Sequence, residues 1–467
     1  MSLLISGGAG YIGSQLVRVL LSCDGNALNE IADPESFKIL KEFVKKKFTT
    51  ILIVDSLQNC GNSSKHVESM MADHNKNPAS DKLKVELRVG DLRDPKFVES
   101  FFSEFKIDSI IHFAAHSCVA ESTVNSMKYY NNNLTGVMNL LNAMSQHGCK
   151  NFVFSSTAAV YGEGGQDEAK TKQGDYALLK ENTFLQPKNP YGRSKLSCEW
   201  IISDQVNSFN RTASETDKRQ INGMCLRYFN ACGCDRKYGE THDPETHLIP
   251  ILLRVFLSKK INHFLDHVLQ SDKKEVVEYL AQHGGLAEAV QQATRQRDYF
   301  TVFGSDYPTL DGSAVRDYIH VRDLSIAHIL ALKYMNDTDK DGQSSFNAFN
   351  LGTSKGYSVL EVVKAAQEVV AADYDSTAHN AFFDREVEVR NVDRREGDPP
   401  VLVADATLAK SVLGWKLQVP AEYGEYDPNS SESYLRYIIS SAWNFHKEHP
   451  FNYNEQLNEL FDRFYQK

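Results

Sequence analysis

The sequence predicts an α/β protein with a doubly wound parallel sheet and a smaller mixed α/β lobe, and two observations lead to this fold class. From Met1 to about Asn230, short apolar runs alternate with segments of helical period, as in a sheet whose helices connect parallel strands. The first apolar run, Leu3-Leu4-Ile5, is followed at once by a glycine-rich turn and a helical segment. With 467 residues, 42% of them hydrophobic, the chain has enough apolar material for both parts.

The glycine-rich turn has the spacing of a Rossmann-type dinucleotide-binding loop. Gly7, Gly10 and Gly13 surround Tyr11 and Ile12. Glycine permits a tight turn and lets the backbone approach a pyrophosphate, whose charge is met by N–H groups at the start of the helix. An ordinary strand–helix turn is the alternative, and the placement of the glycines favours the dinucleotide site.

An acidic residue at the end of the second strand indicates which dinucleotide binds. The apolar run 51–54 ends at Asp55, whose carboxylate can hold the adenosine ribose hydroxyls. No arginine stands beside it to meet the extra phosphate of NADP, so NAD is predicted. The spacing from the glycine loop is long, because residues 24–50 contain an inserted helix that begins near Asp33-Pro34-Glu35. The alternative is that Asp55 only ends its strand.

Three side chains predict the chemistry. Tyr191 and Lys195 are four residues apart, so they share a face of a helix. A tyrosine has a pKa of about 10, and we expect the Lys195 ammonium, helped by the positive nicotinamide, to lower it toward neutral pH so that the phenol can act as a base. Thr157 follows the apolar run 152–154 at the edge of the sheet where ligands bind. Together they predict redox chemistry at a sugar or alcohol carbon with a nicotinamide cofactor; a solvated helix face is the alternative for the Tyr–Lys pair alone.

Longer ordered segments extend these motifs over nearly the whole chain. They include GGAGYIGS from Gly7, NFVFSSTAAVYGE from Asn151, NPYGRSK from Asn189, LRYFNACG from Leu226 and RREGDPP from Arg394. In these segments the chain resembles the UDP-hexose 4-epimerases of the extended short-chain dehydrogenase/reductase family. The resemblance implies a Rossmann domain with bound NAD and a smaller lobe with a UDP-sugar. It also implies reversible epimerisation at C4, UDP-galactose to UDP-glucose, through a 4-keto sugar.

The resemblance further implies a role for each site residue. The catalytic group is Thr157, Tyr191 and Lys195. The expected NAD contacts are Gly7, Gly10, Tyr11, Ile12, Gly13, Asp55, Asp91, Leu92, Phe113, Ala114, Asn132, Tyr191, Lys195, Tyr228 and Phe229. The expected UDP-sugar contacts are Thr157, Tyr191, Asn230, Leu248, Phe303, Arg316, Tyr318, Arg395, Asp398 and Leu402.

Three further observations concern positions where the family's site residues differ or vary. Ser117 and His247 stand where the family usually has Lys and Asn, so one cofactor contact and one substrate contact differ. Leu402 stands where the family limits the space beside C2 of the sugar. UDP-glucose and UDP-galactose are therefore expected as main substrates, with slower turnover of UDP-N-acetylglucosamine. Simple packing of Leu402 within the strand Val401-Leu402-Val403 is the alternative.

The expected organisation has two parts. Residues 1–230 form the NAD-binding domain, and residues 231–467 form mainly the UDP-sugar lobe, with segments that return to the first domain. Residues 257–297 are charged and contain Gly284-Gly285, which predicts two inserted, solvated amphipathic helices. The resemblance implies a homodimer joined by the helices after Phe97 and before Asn151. The apolar residues assigned to that interface, or alternatively to the core, are Val98, Phe101, Phe102, Val137, Leu140 and Leu141.

Composition limits the partners. The net charge is −10 and no long basic run occurs, so nucleic acid is not an expected partner. No apolar stretch reaches the ~18 residues of a membrane helix. Eight scattered cysteines indicate reduced thiols and a cytoplasmic protein. Cys232 and Cys234 with His242 and His247 match no familiar zinc spacing, so no metal is expected.

Two other activities compete with epimerisation at C4. Another nucleotide-sugar epimerase or dehydratase of the same family would use the same cofactor, but a dehydratase needs an acid and a base beside the catalytic hydroxyl. Here Thr157 is followed by Ala158 and Ala159. A non-catalytic dinucleotide sensor would have lost the catalytic group, and all three of its members are present in this chain.

Overall fold

A computed structural model describes residues 1–24, 33–58, 63–76, 83–166, 168–171, 173–212, 220–235, 238–242, 245–270, 298–338, 344–376, 386–420, 423, 431–450, 458–459 and 461–462. Within these ranges the chain forms one seven-stranded sheet and three small sheets. Helices cover both faces of the large sheet. The predicted α/β fold class is confirmed.

The large sheet is parallel throughout. Its strands are β1 Ser2–Ser6, β2 Thr50–Asp55, β3 Lys84–Val89, β4 Ile107–His112, β5 Asn151–Thr157, β6 Asn222–Tyr228 and β11 Phe346–Leu351. They lie in the order β11-β6-β5-β4-β1-β2-β3. The chain therefore proceeds to one side of β1 through β2 and β3, and to the other side from β4 onward. Ligands bind at such a reversal, beyond the carboxyl ends of the strands.

Both faces of this sheet are covered by helices. The helices of the first part are α1 Tyr11–Asp24, α2 Pro34–Lys47, α3 Ser63–Lys76, α4 Pro95–Glu104, α5 Val119–Val124, α6 Ser126–His147, α7 Glu168–Thr171 and α8 Pro190–Thr212. Leu3 and Ile5 belong to the core under α1 and α2, whereas Leu4 belongs to the core under α4, α6 and α8. Alternate side chains of a strand point to opposite faces, so a sheet buried on both faces needs strands that are apolar throughout.

The helix expected between the first two strands is present. Asp33 is its N-cap, and its carboxylate accepts a hydrogen bond from the backbone N–H of Ser36 at 3.1 Å. Pro34 occupies the first turn, where a missing N–H costs nothing. Phe37 and Leu40 are buried in the core shared with α1, so α2 extends the helical layer of the sheet.

The second part of the chain forms three small sheets and a separate core. The sheets pair β7 Asn230–Cys232 with β10 Tyr318–His320, β9 Val315–Arg316 with both β12 Tyr357–Ser358 and β14 Val401–Leu402, and β8 Tyr299–Phe303 with β13 Glu388–Val392. The helices are α9 Leu248–Gln270, α10 Val321–Thr338, α11 Val359–Ser376, α12 Thr407–Leu413 and α13 Ser431–Glu448. Residues of α9, α11 and α13 form the second core, whereas α10 and α12 pack on the large sheet. None of the helices in the described ranges is long and apolar enough to cross a membrane.

The segment 257–297 corrects one expectation. Its first part is the continuation of α9, and Ile261 and Phe264 are buried in the second core. The expectation that the whole segment is a solvated decoration is therefore wrong at its start, because these two side chains pack against α13 and its neighbours. Residues 271–297, where the second helix was expected, lie outside the described residues.

The side chains assigned to a dimer interface are also placed differently from the first expectation. The six apolar residues of α4 and α6 belong to the core between these helices and the sheet: Val98, Phe101, Phe102, Val137, Leu140 and Leu141. They are at most 3% exposed and cannot contact a second chain. Among the described residues of α6 and α8, the exposed large apolar side chains are instead Met127 and Met138 of α6 and Trp200 of α8, at 71%, 41% and 60% exposure.

Candidate active site

The glycine loop lies between β1 and α1, at the reversal of the sheet order. Gly7 has φ +71°, and a Cβ there would lie 2.5 Å from the backbone nitrogen of Ala114. A Cβ on Gly13 would lie 2.2 Å from the carbonyl oxygen of Gly7. Glycine is thus required at both positions by the packing of the turn itself.

Gly10 differs from the other two glycines. A Cβ on Gly10 would contact one neighbouring protein atom within 4 Å, the carbonyl oxygen of Gly7 at 3.3 Å. Packing against the rest of the protein therefore does not explain this glycine. Close approach of a ligand to the backbone does, because it needs the space that a side chain would occupy. The loop at the N-terminus of α1 fits a dinucleotide pyrophosphate.

Asp55 ends β2 beside this loop, as the sequence predicted. Its Oδ2 accepts a hydrogen bond from the backbone N–H of Ala9 at 3.0 Å, and its Oδ1 accepts one from the N–H of Leu57 at 2.9 Å. The carboxylate therefore fixes the turn. Contact with a ribose, the expected role of Asp55, stays a prediction.

Thr157, Tyr191 and Lys195 meet at the carboxyl end of β5. Thr157 is the last residue of β5, and its hydroxyl is hydrogen-bonded to the Tyr191 hydroxyl. Lys195 is one turn further along α8, and its Nζ donates to the carbonyl of Ser155 at 2.7 Å. The side chains expected to form the catalytic group therefore lie together.

The start of α8 holds Tyr191 against the end of β5. The side chain of Asn189 accepts a hydrogen bond from the N–H of Gly192 at 2.8 Å, which caps the helix. A Cβ on Gly192 would lie 2.7 Å from the carbonyl oxygen of Ala159. Glycine at this position lets α8 approach the 3₁₀ turn Ala158–Tyr161 that follows Thr157.

Burial dominates the electrostatics of this group. Burial raises the pKa of Tyr191 to about 12, and the hydrogen bond with Thr157 opposes that rise. The expected lowering of this pKa by the Lys195 ammonium together with the positive nicotinamide stays a prediction. The Nζ of Lys195 is bound at Ser155 and lies 4.7 Å from the centroid of the Phe154 ring. Burial lowers the pKa of Lys195 itself to about 8.

One neighbour of the expected NAD contacts, His328, carries no signal in the sequence. The hydroxyl of Tyr228 is hydrogen-bonded to Ser155, and burial raises the pKa of this tyrosine. The ring of His328 lies 4.7 Å from the ring of Phe113 and 6.0 Å from that of Tyr228. Nothing in the sequence marks this histidine, in the middle of α10, as a site residue. Only the packing of α10 on the large sheet brings it next to Phe113 and Tyr228.

A buried ion pair supports the end of β5. Arg227 donates from Nη2 and Nε to the two carboxylate oxygens of Glu199, at 2.6 and 2.9 Å. The hydroxyl of Ser156 donates to the same carboxylate at 2.5 Å. Glu199 is one turn after Lys195 on α8, so the pair links α8, β5 and β6 directly behind Thr157.

The other expected NAD residues have partners within the protein. The Tyr11 hydroxyl donates to the carbonyl of Gly233 at 2.5 Å, and Ala114 donates its N–H to the carbonyl of Ser6 at 3.2 Å. Asp91 is paired with Arg93, and the amide of Asn132 donates to Asn133 at 3.1 Å. Those that pack in or against apolar clusters are Ile12, Leu92, Phe113 and Phe229.

The expected substrate residues fall into two groups. In the first, strand pairing aligns Leu402 with Arg316 and Tyr318 with Asn230, and Arg316 is paired with the carboxylate of Asp398. Leu402 is 8% exposed and shares an apolar cluster with Phe229, Ala158 and Tyr161, next to Thr157. In the second group, the guanidinium of Arg395 lies 3.8 Å from the centroid of the Phe303 ring. Leu248 is the first residue of α9.

Comparison with known proteins identifies relatives along the whole chain. A model of the NAD dependent epimerase/dehydratase family matches residues 3–352, and a model of GDP-mannose 4,6 dehydratase matches residues 286–424. The chain is 32% identical to a UDP-glucose 4-epimerase of Halalkalibacterium halodurans, over 98% of each protein. It is 35% identical to that of Lactobacillus helveticus, over 98% of this chain and 100% of the relative.

A solved structure gives the same result for the fold. The crystal structure of UDP-glucose 4-epimerase from Bifidobacterium longum in complex with NAD+ and UDP is similar to this chain, with a TM-score of 0.66 and 26% identity. The similarity covers 97% of this chain and 100% of that chain.

Proposed function

The chain belongs to the NAD dependent epimerase/dehydratase family, and we propose that it is a UDP-glucose 4-epimerase, which interconverts UDP-galactose and UDP-glucose. The observation that carries this proposal is the hydrogen-bonded pair of Thr157 and Tyr191 at the sheet edge that also bears the glycine loop. Full-length similarity to UDP-glucose 4-epimerases supports the same activity.

NAD is the proposed cofactor, and it supplies reversible oxidation and reduction at C4 of the sugar when bound. The open side of Gly10 suits its pyrophosphate. The residues proposed to hold it are Gly7, Gly10, Tyr11, Ile12, Gly13, Asp55, Asp91, Leu92, Phe113, Ala114, Asn132, Tyr191, Lys195, Tyr228 and Phe229.

In the proposed mechanism, the Oη of Tyr191 takes the proton of the sugar 4-hydroxyl and later returns it. The hydroxyl of Thr157 orients the phenol and stabilises the phenolate through its hydrogen bond. Because burial raises the pKa of Tyr191 to about 12, this stabilisation has to be supplemented when substrate and cofactor are bound. Lys195 positions the end of β5 through Ser155.

The nucleotide would be held by residues of both groups. Arg316 and Arg395 are suited to a diphosphate, because a guanidinium is always charged and presents several donors. The further proposed contacts to the UDP-sugar are Asn230, Leu248, Phe303, Tyr318, Asp398 and Leu402. Residues 1–230 would thus bind NAD, and residues 231–467 mainly the UDP-sugar.

Conversion of UDP-galactose to UDP-glucose by the purified full chain tests this proposal. We expect product from the wild-type protein without added reductant. Loss of water to a 4-keto-6-deoxy sugar would instead indicate a dehydratase, the activity that the second family match brings into question. Retention of NAD with no turnover of either kind would indicate a dinucleotide sensor.

A homodimer is proposed on the exposed apolar side chains of α6 and α8. Met127 and Met138 are eleven residues apart, which places them on one face of α6 three turns apart. Trp200 is exposed on α8, which packs against α6. Light scattering should give twice the chain mass for the wild type and a lower mass for Trp200→Glu, whereas a monomeric wild type would refute the dimer.

A cytoplasmic location is proposed because the seven described cysteines are all free.

A further inference from the structure

Four side chains of metal-ligand type meet in the segment before α9. They are Glu240, His242, Glu245 and His247, and their ligand atoms all lie within 4.8 Å of one another. The sequence had associated the two histidines with Cys232 and Cys234. In the structure, two carboxylates and not the two thiols lie beside the histidines. Cys232 is buried, and its Sγ donates to the carbonyl of Ile319 at 3.4 Å.

The distances within this cluster are close to those between the ligands of one tetrahedral ion. The Nδ1 of His242 lies 3.4 Å from the Oε1 of Glu240 and 3.8 Å from the Oε1 of Glu245. The Nδ1 of His247 lies 2.9 Å from each of the same two oxygens. Ligand atoms bound at about 2.1 Å in a tetrahedron are about 3.4 Å apart. The four measured separations lie between 2.9 and 3.8 Å, on both sides of that value.

The two carboxylates of the cluster are buried, so their negative charge has to be balanced by a positive one. The carboxylates of Glu240 and Glu245 are each 3% exposed, and buried charges have to be paired or bound to a metal. The Oε1 of Glu240 and the Nδ1 of His242 are buried and have no hydrogen bond of proper geometry among the described residues, although they face each other. A ring nitrogen of neutral histidine can accept as a carboxylate oxygen does, so a cation between the two atoms would satisfy both. The histidine side chains are more exposed, which leaves a route from solvent.

We propose that Glu240, His242, Glu245 and His247 bind a zinc ion in a structural site. Two imidazole nitrogens and two carboxylate oxygens in a tetrahedral arrangement suit Zn²⁺, and four protein ligands complete its coordination. Mg²⁺ and Ca²⁺ take six or more oxygen ligands, so this donor set does not suit them. One divalent ion would balance the two carboxylates.

The position of the site gives the ion a structural role. The ring of Tyr11 in the glycine loop is edge-on to the ring of His242, with 6.2 Å between centroids. The hydroxyl of Tyr11 is hydrogen-bonded to Gly233, at the other end of the same segment. His247 directly precedes Leu248 at the start of α9. The ion would therefore hold the residues between β7 and α9 against Tyr11 of the glycine loop, and this role does not depend on the activity proposed above.

Metal analysis of the purified full chain tests the site. The protein is dialysed against metal-free buffer, loaded with equimolar Zn²⁺ and desalted. We expect about one zinc per chain in the wild type and almost none in His247→Asn or His242→Asn. The matched control is His147→Asn, because His147 is also paired with a glutamate, Glu99, at 2.9 Å. Zinc should raise the melting temperature of the wild type and this control, and not that of the other two variants.

X-ray absorption of the zinc-loaded wild type keeps the test decisive if the variants fail to fold. We expect a first shell of four nitrogen and oxygen atoms without sulfur. Sulfur in that shell would assign the metal to the cysteines and overturn the proposal. A wild type that retains no zinc would also overturn it, and would show that two protonated histidines neutralise the carboxylates instead. Retention of zinc by a folded His247→Asn variant would have the same consequence.

Discussion

The two parts of the molecule position their functional side chains in different ways. In the first part, Thr157 ends a seven-residue parallel strand in the middle of a large sheet, and Tyr191 and Lys195 lie on a helix packed against it. In the second part, Arg316 and Leu402 lie on strands of two residues, and Arg316 meets Asp398 across 82 positions of sequence. A long strand and a long helix hold the catalytic side chains in place, whereas the expected nucleotide contacts depend on short strands and single ion pairs. The following predictions test that difference.

The largest effect is expected for Tyr191→Phe. The variant removes the proton-accepting oxygen and the hydrogen bond with Thr157, and keeps the ring. Activity on UDP-galactose should fall by about 10²–10⁴-fold, the range for general-base catalysis, while the melting temperature and bound NAD stay near those of the wild type. Turnover near the wild-type rate would remove Tyr191 from the mechanism. Tyr130→Phe, at a half-buried tyrosine of α6, is the control for loss of a phenolic hydroxyl.

The ion pair behind Thr157 should be the next most sensitive feature. Glu199→Gln leaves the buried Arg227 without its carboxylate, and breaking a buried pair costs about 3–5 kcal/mol in the free energy of unfolding. The matched control is Glu104→Gln, because Glu104 forms an exposed pair with Arg88 at 2.7 Å. Such exposed pairs contribute about 0–1 kcal/mol. Equal losses in denaturant melts of the two variants would show that the end of β5 does not rely on the buried pair.

A pH effect on stability is expected where the two parts meet. Asp323 of α10 accepts a hydrogen bond from Tyr434 of α13, its Oδ1 has no partner among the described residues, and burial raises its pKa to about 7. The folded state therefore binds this proton more tightly than the unfolded state, whose aspartate pKa is about 3.9. The stability from Asp323 is complete below about pH 4 and is lost as the pH rises toward 7.

The variant that tests this linkage is Asp323→Asn, which cannot ionise. Its free energy of unfolding should vary less between about pH 4 and pH 7 than that of the wild type. The two dependences should differ by at most about 4 kcal/mol, since one pKa unit is about 1.4 kcal/mol. Asp337→Asn on the same helix is the control, because Asp337 lies in an exposed pair with Lys333. If Asp323→Asn keeps the full pH dependence of the wild type, Asp323 is not the titrating group.

The smallest effect concerns sugar specificity at Leu402. This side chain lies between the two parts, in the cluster that contains Phe229 and Ala158. Leu402→Ser should raise the ratio of kcat/KM for UDP-N-acetylglucosamine over UDP-glucose by about 10-fold, the lower end of what a change in pocket volume is worth. Leu408→Ser, at an exposed leucine of α12, should leave the ratio unchanged. An unchanged ratio in Leu402→Ser would show that Leu402 only packs.

The pattern of neighbouring residues was sufficient to predict some features of the fold and not others. The cap Asp33 and the buried Phe37 and Leu40 made α2 predictable, because capping and helical period are properties of neighbouring residues. The burial of Val98 and Val137 was not predictable in the same way. An apolar helix face can cover the sheet or a second chain, and only the packing of α4 and α6 on the sheet decides between them.

The sequence by itself determined the fold class, the glycine loop and the Tyr–Lys pair on α8, because spacing along one strand or helix fixes which side chains share a face. Tertiary structure alone decided where the Lys195 ammonium points, since its partner Ser155 lies on a different element. It also decided that Glu240, His242, Glu245 and His247 converge next to Tyr11. A loop has no repeating geometry, so the direction of its side chains follows only from the contacts that the folded chain makes around it.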